Sequence, residues 1–375
     1  MRVLVAPDSF KGSIGAADAA AALAAGWRDA RPGDELACVP LADGGEGTLD
    51  VLAAAAGPGQ APRWHRLPVT GPGGATVTGC WLELPGAAYV ELARASGLPL
   101  LDQPDPLGAQ TSGTGELIAS ALDAGAARIV IALGGSASTD GGTGALAALG
   151  ARFLDAAGRE LPAGGGALGR LAAADLAGLR PPPPGGVACL TDVRAPLLGP
   201  RGAAAVFGPQ KGADASQVAA LEAGLARLAD VLGGDPAAPG AGAAGGTGYG
   251  FAAAWGAQIV PGAAELGRIV GLDRRLAGAD LVVTGEGRYD ATSGDGKVTG
   301  AVLAAADRAA VPAALVAGVI AADPPPGVAA AVALAGLAGG PAAALAEPRR
   351  WLRRAGQVLA SGLAPDRTVA GRRGG

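Results

Sequence analysis

Short apolar runs of strand length alternate with helical stretches along most of this chain. The clearest apolar runs are residues 2–6, 36–41, 129–133, 187–191, 281–284 and 313–317. Helical patterns cover residues 14–30, 115–124, 217–232 and 299–309. Because parallel strands need a long crossover between them, usually a helix, this alternation predicts an α/β protein built on a mostly parallel sheet.

One part of the chain breaks this alternation and predicts a second domain. Three strand-like runs, residues 64–69, 75–84 and 88–92, are joined by Gly/Pro turns, which predicts an antiparallel patch. Residues 181–186 and 233–250 are predicted loops or linkers. We therefore predict a discontinuous α/β domain from residues 1–63, 112–140 and 275–375. A second, smaller α/β domain is predicted from residues 64–111 and 141–274.

Charge and cysteine usage exclude several classes of protein. The 375 residues carry a formal net charge of −4, which gives no electrostatic footprint for nucleic acid. The three cysteines are widely spaced, as is typical of free thiols in a reducing compartment. No apolar run reaches the roughly 18 residues of a membrane helix, and the N-terminus is not that of a signal peptide. We predict a cytoplasmic protein that binds neither membrane nor nucleic acid, as a monomer or homodimer.

Several polar side chains directly follow the first apolar run, residues 2–6. A buried strand has no structural need for them. Asp8, Ser9 and Lys11 follow this run directly, and Gly12 comes next. In an open parallel sheet, ligands bind at the carboxyl ends of the strands. This loop, residues 7–13, is therefore either a polar turn or part of a binding site, and taken alone it does not decide between them.

Four further strand ends carry the same combination of acids and small residues. They are residues 42–48 with Asp43 and Glu46, residues 134–142 with Gly134, Gly135, Ser136 and Asp140, residues 191–192 with Asp192, and residues 284–290 with Glu286, Arg288 and Asp290. Each acid singly could be a helix cap or a turn residue. Five such loops together predict one shared polar site.

The residue types in these loops favour phosphoryl transfer. The single histidine, His65, lies in the antiparallel patch, so a histidine triad and a zinc site are both unfavoured. Carboxylates, lysines and glycine-rich turns are what phosphoryl transfer with Mg²⁺ requires. There is no P-loop, because Gly296-Lys297-Val298 lacks the hydroxyl and the leading glycine of that motif. The GxGxxA match at residues 142–147 begins nine residues after its strand, too far for a dinucleotide turn.

Long motifs distributed along the chain resemble the bacterial glycerate kinases of the type-1 family. They are APDSFKGS at 6–13, PLADGGEGT at 40–48, GGSASTDGGTG at 134–144, LLGPRGAAAVFGPQKGA at 197–213, GAAGG at 242–246 and LAGADLVVTGEGRYD at 276–290. The resemblance implies phosphorylation of D-glycerate by ATP, usually at the 2-hydroxyl. It also implies a Rossmann-like domain and a second α/β domain, with the active site in the cleft between them.

Three positions depart from the family pattern. Arg194 stands where a second acid is usual, Thr139 where Asn is usual and Tyr289 where a smaller aliphatic residue is usual. These departures bear on substrate detail rather than on the class of reaction.

On this basis we assign expected roles to the residues of the loops. Lys11 is expected to neutralise the transferring phosphoryl group or the substrate carboxylate, and Asp192, with Asp8 second, to act as general base. The substrate-binding residues are expected to be Ser9, Asp43, Glu46, Arg288 and Asp290. The nucleotide-binding residues are expected to be Gly134, Gly135, Ser136, Asp140, Gly245, Gly246, Lys211 and Lys297. Glu286 and Asp290 are expected to hold Mg²⁺.

Three alternatives stay open from the sequence. A kinase of the 3-hydroxyl, or of a related small sugar acid, would have nearly the same sequence. A nicotinamide-dependent dehydrogenase is unfavoured by the misplaced GxGxxA match. A non-catalytic regulator that binds a nucleotide or metabolite is unfavoured by the acids and lysines that the loops retain.

Overall fold

The computed structural model describes residues 1–57, 61–294 and 297–363. Gly296, which the sequence analysis weighed as part of a P-loop, lies outside the described residues. The chain divides into two compact units. The terminal unit consists of Met1–Ala42, Asp50–Ala55 and Leu266–Gly375, and the central unit of Asp43–Leu49 and Ala56–Glu265.

Strands and helices alternate much as the sequence predicts. The strands are β1 (Arg2–Val5), β2 (Glu35–Cys38), β3 (Arg63–Thr70), β4 (Thr76–Leu84), β5 (Ala87–Glu91), β6 (Ile129–Ala132), β7 (Arg152–Leu154), β8 (Ala173–Asp175), β9 (Val187–Leu190), β10 (Gln258–Val260), β11 (Leu281–Tyr289), β12 (Ala313–Ile320) and β13 (Val328–Ala333). The helices are α1 (Ala16–Ala30), α2 (Thr48–Ala55), α3 (Ala93–Ser96), α4 (Ser112–Asp123), α5 (Thr143–Ala148), α6 (Ala203–Phe207), α7 (Ala215–Leu232), α8 (Ala243–Trp255), α9 (Gly262–Ile269), α10 (Leu272–Leu276), α11 (Val298–Arg308), α12 (Leu334–Ala338), α13 (Pro341–Ala346) and α14 (Pro348–Gly362).

The terminal unit is built on a five-stranded parallel sheet. Its strand order is β13-β12-β11-β1-β2, so β11 lies in the middle and β1 lies between β11 and the edge strand β2. Helix α1 packs against α14 through two glycines. A Cβ at Gly26 would lie 1.8 Å from Arg353 O, and one at Gly356 would lie 2.2 Å from Leu23 O. The two helices therefore approach each other more closely than any side chain at these positions would allow.

The central unit contains a six-stranded mixed sheet of order β10-β9-β6-β5-β4-β3. Strands β5, β6, β9 and β10 are parallel to one another, while β3, β4 and β5 form the predicted antiparallel patch. His65 has a structural role in that patch. Its ring stacks on Trp81 with the ring centroids 3.8 Å apart, and its Nε2 lies 2.7 Å from Glu83 Oε2. The mostly parallel α/β class predicted from the sequence is thus confirmed.

Two predictions about the division of the chain differ from the structure. Residues 112–140 were predicted in the domain that contains both chain ends, but β6 pairs with β5 and β9 and so belongs to the central unit. The central unit also holds more of the chain than the terminal unit does, whereas the sequence predicted a smaller insert. The alternation of strands and helices along the sequence does not indicate which sheet a strand joins. Parallel strands that pair are separated by a long segment of chain, so neighbours in the sequence need not be neighbours in a sheet.

The glycine-rich segment predicted as a linker is part of the core. Residues 243–255 form helix α8, and Tyr249 and Phe251 within it are almost fully buried. Tyr249 and Phe251 pack in the same hydrophobic cluster as Leu146 and Leu225. The glycines are therefore needed for close packing rather than for flexibility.

Within the described residues, no helix is both long and apolar enough to cross a membrane.

Candidate active site

In the terminal unit, the predicted residues gather at the carboxyl ends of β1 and β11. The two strands pair in register from Val3 with Leu281 to Val5 with Val283. Beyond β1, the N–H of Asp8 donates to Gly285 O at 2.8 Å. A Cβ at Gly287 would lie 3.4 Å from Lys11 N. The loop that carries Asp8, Ser9 and Lys11 therefore lies along the end of β11.

The side chains of this loop differ in their exposure. Asp8 is buried, and its Oδ1 accepts a hydrogen bond from the N–H of Ser9 at 2.6 Å. Lys11 is exposed. The lysine of this loop is therefore open to solvent, whereas the carboxylate of Asp8 is buried and bonded to its own loop.

Residues 284–289, predicted as part of a loop, belong to β11, and Glu286 is a buried acid within that strand. It is 8% exposed, and its Oε1 has no hydrogen-bond partner among the residues that the structure describes. Burial raises the pKa of its carboxyl group, and the nearby Thr299 and Ser293 hydroxyls and the charge of Lys297 act in the opposite direction. Because an unpartnered buried oxygen is costly, this carboxylate is suited to a ligand such as a metal ion or a hydroxyl group.

Arg288, Asp290 and Lys297 form a network around Thr292. Asp290 Oδ1 accepts hydrogen bonds from Thr292 N at 3.0 Å and from Thr292 Oγ1 at 2.7 Å. These hydrogen bonds, followed by the charges of Lys297 and Arg288, hold the pKa of Asp290 below its usual value. Arg288 Nε lies 3.4 Å from Asp290 Oδ2, and Lys297 Nζ donates to Thr292 Oγ1 at 2.8 Å. Asp290 is thus an ionised acid within this network.

Tyr289 lies between Arg288 and Asp290 in the sequence. It is buried, and burial raises the pKa of its hydroxyl group. Its side chain lines a cavity of about 760 Å³ together with Leu303 and Val311.

In the central unit, the predicted residues gather at the carboxyl ends of β6 and β9. The N–H of Gly134 donates to Gly44 O at 3.0 Å, and a Cβ at Gly134 would lie 2.4 Å from Gly45 Cα. A Cβ at Gly135, where φ is +78°, would lie 2.7 Å from Glu46 Oε1. Glycine is required at both positions because the loop of residues 43–48 packs directly on this turn.

A cavity of about 380 Å³ opens where these loops meet. Its lining includes the predicted residues Glu46, Gly134, Gly135, Ser136, Lys211 and Gly245. Thr191, Phe207 and Gln210 also line it, and the sequence analysis did not single these three out. Six predicted residues from four separate segments of the chain therefore meet at one cavity.

Lys211 is the cation of this cavity. It is 3% exposed, and its Nζ donates a hydrogen bond to the carbonyl oxygen of Ser138. Burial lowers the pKa of Lys211 to about 8, while the charge of Asp140 acts in the opposite direction. At neutral pH the side chain is therefore mostly protonated and carries a positive charge at the cavity wall.

A left-handed turn at the start of α8 completes the cavity. Ala244, Gly245 and Gly246 have φ of 53°, 64° and 89°. A Cβ at Gly245 would lie 2.1 Å from Ser138 O, the same oxygen to which Lys211 donates. Left-handed turns of this kind present backbone N–H groups to anions, as glycine-rich phosphate loops do.

Three residues predicted to bind the nucleotide, Asp140, Gly246 and Lys297, are not among those that line this cavity. Lys297 lies in the terminal unit, where its Nζ donates to Thr292 Oγ1 at 2.8 Å. Asp140 is fully buried and accepts hydrogen bonds from Thr111 N at 2.9 Å, Thr111 Oγ1 at 2.7 Å, Gly142 N at 3.1 Å and Gly144 N at 3.3 Å. A Cβ at Gly246 would lie 2.8 Å from a methyl group of Leu197, inside the core. Asp140 and Gly246 therefore stabilise the cavity-lining segments through contacts inside the core.

Asp43 and Asp192 lie together at the start of α9. A Cβ at Gly262 would lie 2.0 Å from Asp43 O, and the N–H of Ala263 donates to Asp192 Oδ1 at 3.4 Å. Asp43 Oδ1 also accepts a hydrogen bond from Gly45 N at 3.0 Å. Neither acid is among the residues that line the cavity.

The carboxylates do not form a ready-made metal cage. Among the residues that the structure describes, no group of three or more His, Cys, Asp or Glu side chains is placed to hold a metal ion. Of the two predicted metal ligands, Glu286 has an oxygen without a partner among the described residues, whereas Asp290 is engaged by Thr292 and Arg288.

Comparisons with known proteins agree on one family. The family model described as the glycerate kinase family matches residues 3–364. The glycerate 2-kinase of Escherichia coli K12 is 40% identical over 310 residues, which are 80% of each chain. The glycerate kinase of Bacillus subtilis 168 is 42% identical over 339 residues, which are 86% of each chain. A crystal structure from Salmonella typhimurium LT2, described as a glycerate kinase 2, superposes with a TM-score of 0.82 at 37% identity, and covers 96% of this chain and 98% of its own. The chain therefore belongs to the glycerate kinase family and is a kinase.

Proposed function

We propose that this kinase transfers the γ-phosphoryl group of ATP to D-glycerate in the presence of Mg²⁺ and forms 2-phosphoglycerate. The observation that carries the proposal is the cavity where Lys211 meets the glycine turns of Gly134, Gly135 and Gly245. The name of the Escherichia coli relative, a glycerate 2-kinase, supports the choice of the 2-hydroxyl. We also propose a cytoplasmic location, because ATP and small organic acids are both available there.

The glycine turns of the cavity fit the phosphates of a nucleotide. A Cβ at Gly245 would collide with Ser138 O, so the backbone is left bare at the cavity wall. Backbone N–H groups and a lysine are the donors that triphosphates require, because phosphate oxygens accept several hydrogen bonds at once. Lys211 would offset negative charge there, and Ser136 would donate from its hydroxyl group.

Glu286, within β11, fits a magnesium ion better than Asp290 does. Mg²⁺ prefers carboxylate oxygens and keeps several waters, so one or two protein ligands are enough. Glu286 Oε1 is buried and has no partner among the described residues, which makes Glu286 the principal candidate and Asp290 the second. When bound, the ion would neutralise charge on the phosphate oxygens.

The remaining residues fit the two ends of glycerate. The substrate carboxylate calls for a cation, for which Lys11 and Arg288 are the candidates. Hydroxyl groups on the substrate call for acceptors and donors, for which Ser9, Asp43 and Glu46 are the candidates.

The general base accepts the proton of the reacting hydroxyl group. As the oxygen–phosphorus bond forms and the bond to the β-phosphate oxygen breaks, that proton passes to a carboxylate and ADP leaves. Asp192 is the principal candidate and Asp8 the second.

The reaction is tested by measuring ADP release with D-glycerate and with a panel of related hydroxy acids. NMR of the product then shows which carbon carries phosphorus. Release of ADP with glycerate and phosphorus at carbon 2 is the expected result. Phosphorus at carbon 3 would instead establish the 3-hydroxyl reaction, and binding without ADP release would establish a regulator.

The roles of Lys11 and Asp192 are tested with matched surface controls. Lys11→Ala and Asp192→Ala should each lower kcat by about 100-fold or more, as removal of a general base or a charge-neutralising group does. Arg349→Ala and Asp123→Ala remove exposed charges that form surface ion pairs, and should leave kcat unchanged. A near-normal kcat in Lys11→Ala or Asp192→Ala would remove that residue from the mechanism.

A further inference from the structure

Helix α2 begins without a cap of its own. The residue before it is Gly47, with φ of +87°, and no side chain of the local sequence accepts a hydrogen bond from the first turn. The first N–H groups of a helix need acceptors from elsewhere. Glu91, at the end of β5, provides them: its Oε1 accepts from Gly47 N at 3.1 Å and its Oε2 accepts from Leu49 N at 3.2 Å. One carboxylate from a distant strand thus replaces the local cap.

Glu91 is buried and held from a second side. Only 2% of the residue is exposed. Arg94 Nε lies 3.4 Å from its Oε1, and the guanidinium group of Arg94 lies 5.9 Å from the ring centroid of Trp64. The helix N-terminus and the arginine both favour negative charge at this position, so the carboxylate is fixed between them.

The segment that Glu91 anchors forms a wall of the cavity. The loop of residues 43–48 ends at the point where Gly47 meets Glu91. In the same loop, Gly45 packs on Gly134, and Glu46 lines the cavity beside Gly135. A shift of this loop would therefore move Glu46 and open the contact with the glycine turn.

We propose that Glu91 is a positioning residue of this kinase, whose carboxylate fixes the 43–48 loop and thereby the cavity wall that Glu46 provides. The inference rests on the proposed function, because it takes this cavity as the site of the nucleotide phosphates. Glu91 is expected to touch neither substrate nor nucleotide. Its effect on the reaction passes through the loop.

The test compares Glu91 with a second acid that makes the same kind of contact elsewhere in the central unit. Glu116 accepts hydrogen bonds from Thr70 N at 2.8 Å and Thr70 Oγ1 at 2.7 Å, and it is not among the residues that line the cavity. The full-length variants Glu91→Ala, Glu91→Gln and Glu116→Ala are compared by thermal unfolding. Hydrogen–deuterium exchange is measured on the peptide of residues 43–52, and kcat and KM are measured for ATP.

Glu91→Ala should speed exchange in this peptide and lower kcat/KM for ATP by about 10- to 100-fold, mainly through KM, because charged hydrogen bonds and the loop position are both lost. Glu91→Gln keeps one acceptor oxygen and should lie between the wild type and Glu91→Ala. Glu116→Ala should leave the exchange of residues 43–52 unchanged and should keep kcat/KM for ATP within about twofold of the wild-type value. We expect this even if its Tm falls as much as that of Glu91→Ala.

Two results would overturn the inference. The first is unchanged exchange in the peptide of Glu91→Ala, and the second is an equal loss of kcat/KM in Glu116→Ala at a matched Tm. If the wild type does not phosphorylate glycerate, the proposed function fails. The inference about Glu91 is then decided by the exchange rates alone. If Glu91→Ala does not fold, Glu91→Gln carries the comparison.

Discussion

Replacing Gly245 by alanine tests whether the cavity depends on the close approach of two backbone segments. Gly245 has φ of +64°, and a Cβ there would lie 2.1 Å from Ser138 O and 2.6 Å from Thr139 Cα. Gly256, at the end of the same helix, has φ of +68°, and a Cβ there meets nothing within 4 Å. The two glycines share a backbone conformation and differ in their neighbours, which makes Gly256→Ala the matched control.

The expected cost follows from these two differences. A left-handed conformation costs a non-glycine residue about 1–2 kcal/mol, and this cost applies to both variants. Overpacking adds about 1–3 kcal/mol at Gly245 only, because Ser138 or the turn itself must move. Gly245→Ala should therefore lose about 2–5 kcal/mol of unfolding free energy and Gly256→Ala about 1–2 kcal/mol.

Urea denaturation and thermal unfolding of both variants provide the assay. For a unit of this size, 1 kcal/mol corresponds to about 2–4 °C in Tm, so a difference of about 2 kcal/mol appears as about 4–8 °C. Gly245→Ala should also raise KM for ATP, because Ser138 O and the Lys211 ammonium that donates to it are displaced together. Equal losses of stability in the two variants would refute the reasoning, since the added contact at Gly245 would then cost nothing.

Three further predictions concern buried polar groups. Burial lowers the pKa of Lys211 from 10.5 to about 8, so the unfolded chain binds more protons there between about pH 8 and 10.5, and this residue makes the protein more stable as the pH rises through that window. Lys211→Met should remove that rise in urea unfolding, and identical pH profiles would contradict it. Burial raises the pKa of Glu286, so its ionised form costs stability above the ordinary pKa of 4.5 and that cost is relieved as the pH falls through the raised value. Glu286→Gln should raise Tm at pH 7 while kinase activity falls, and unchanged activity would count against its role. Thr139 Oγ1 is buried with no hydrogen-bond partner among the described residues, so Thr139→Val should be neutral or stabilising by up to about 1 kcal/mol, and a loss of more than 1 kcal/mol in denaturation would reveal a partner.

The rule that ligands bind at the ends of parallel strands located much of the candidate site from the sequence. It pointed to the segments of Lys11 and Glu286 in one unit and of Glu46 and Gly135 in the other, and within each unit the structure brings the two segments together. These segments meet because the carboxyl ends of neighbouring parallel strands lie at the same edge of a sheet.

The same rule contained the signal for Glu91, which the sequence analysis passed over. Glu91 is the last residue of β5, after Tyr89 and Val90, and it is an acid at the end of a buried strand like the others. The sequence places β5 in the antiparallel patch, and consecutive antiparallel strands end at opposite edges of a sheet. The rule for parallel strand ends therefore does not select Glu91 from the sequence. In the structure β5 is antiparallel to β4 but parallel to β6, so its end lies beside the end of β6.

The prediction of a loop or linker over residues 233–250 was wrong for a different reason, although Gly245 lines the cavity as the nucleotide-binding prediction requires. Composition alone does not separate glycines that permit flexibility from glycines that permit contact. The distinguishing signal was the aromatic pair Tyr249 and Phe251, which a solvent-exposed linker would not carry, and which the structure buries. Distances between segments far apart in the chain decide such cases, and a single sequence does not contain them.

The place of β1 between β2 and β11 has a consequence for how the protein folds during synthesis. Val3 pairs with Leu281, so β1 leaves the ribosome nearly 280 residues before this neighbour does, and only β2 is available to pair with it in the meantime. At about 5–20 residues per second, that interval lasts roughly 15–60 s. The central unit has its last strand by Val260 and is complete earlier. During this interval the β11-facing edge of β1 is exposed to chaperones and to aggregation.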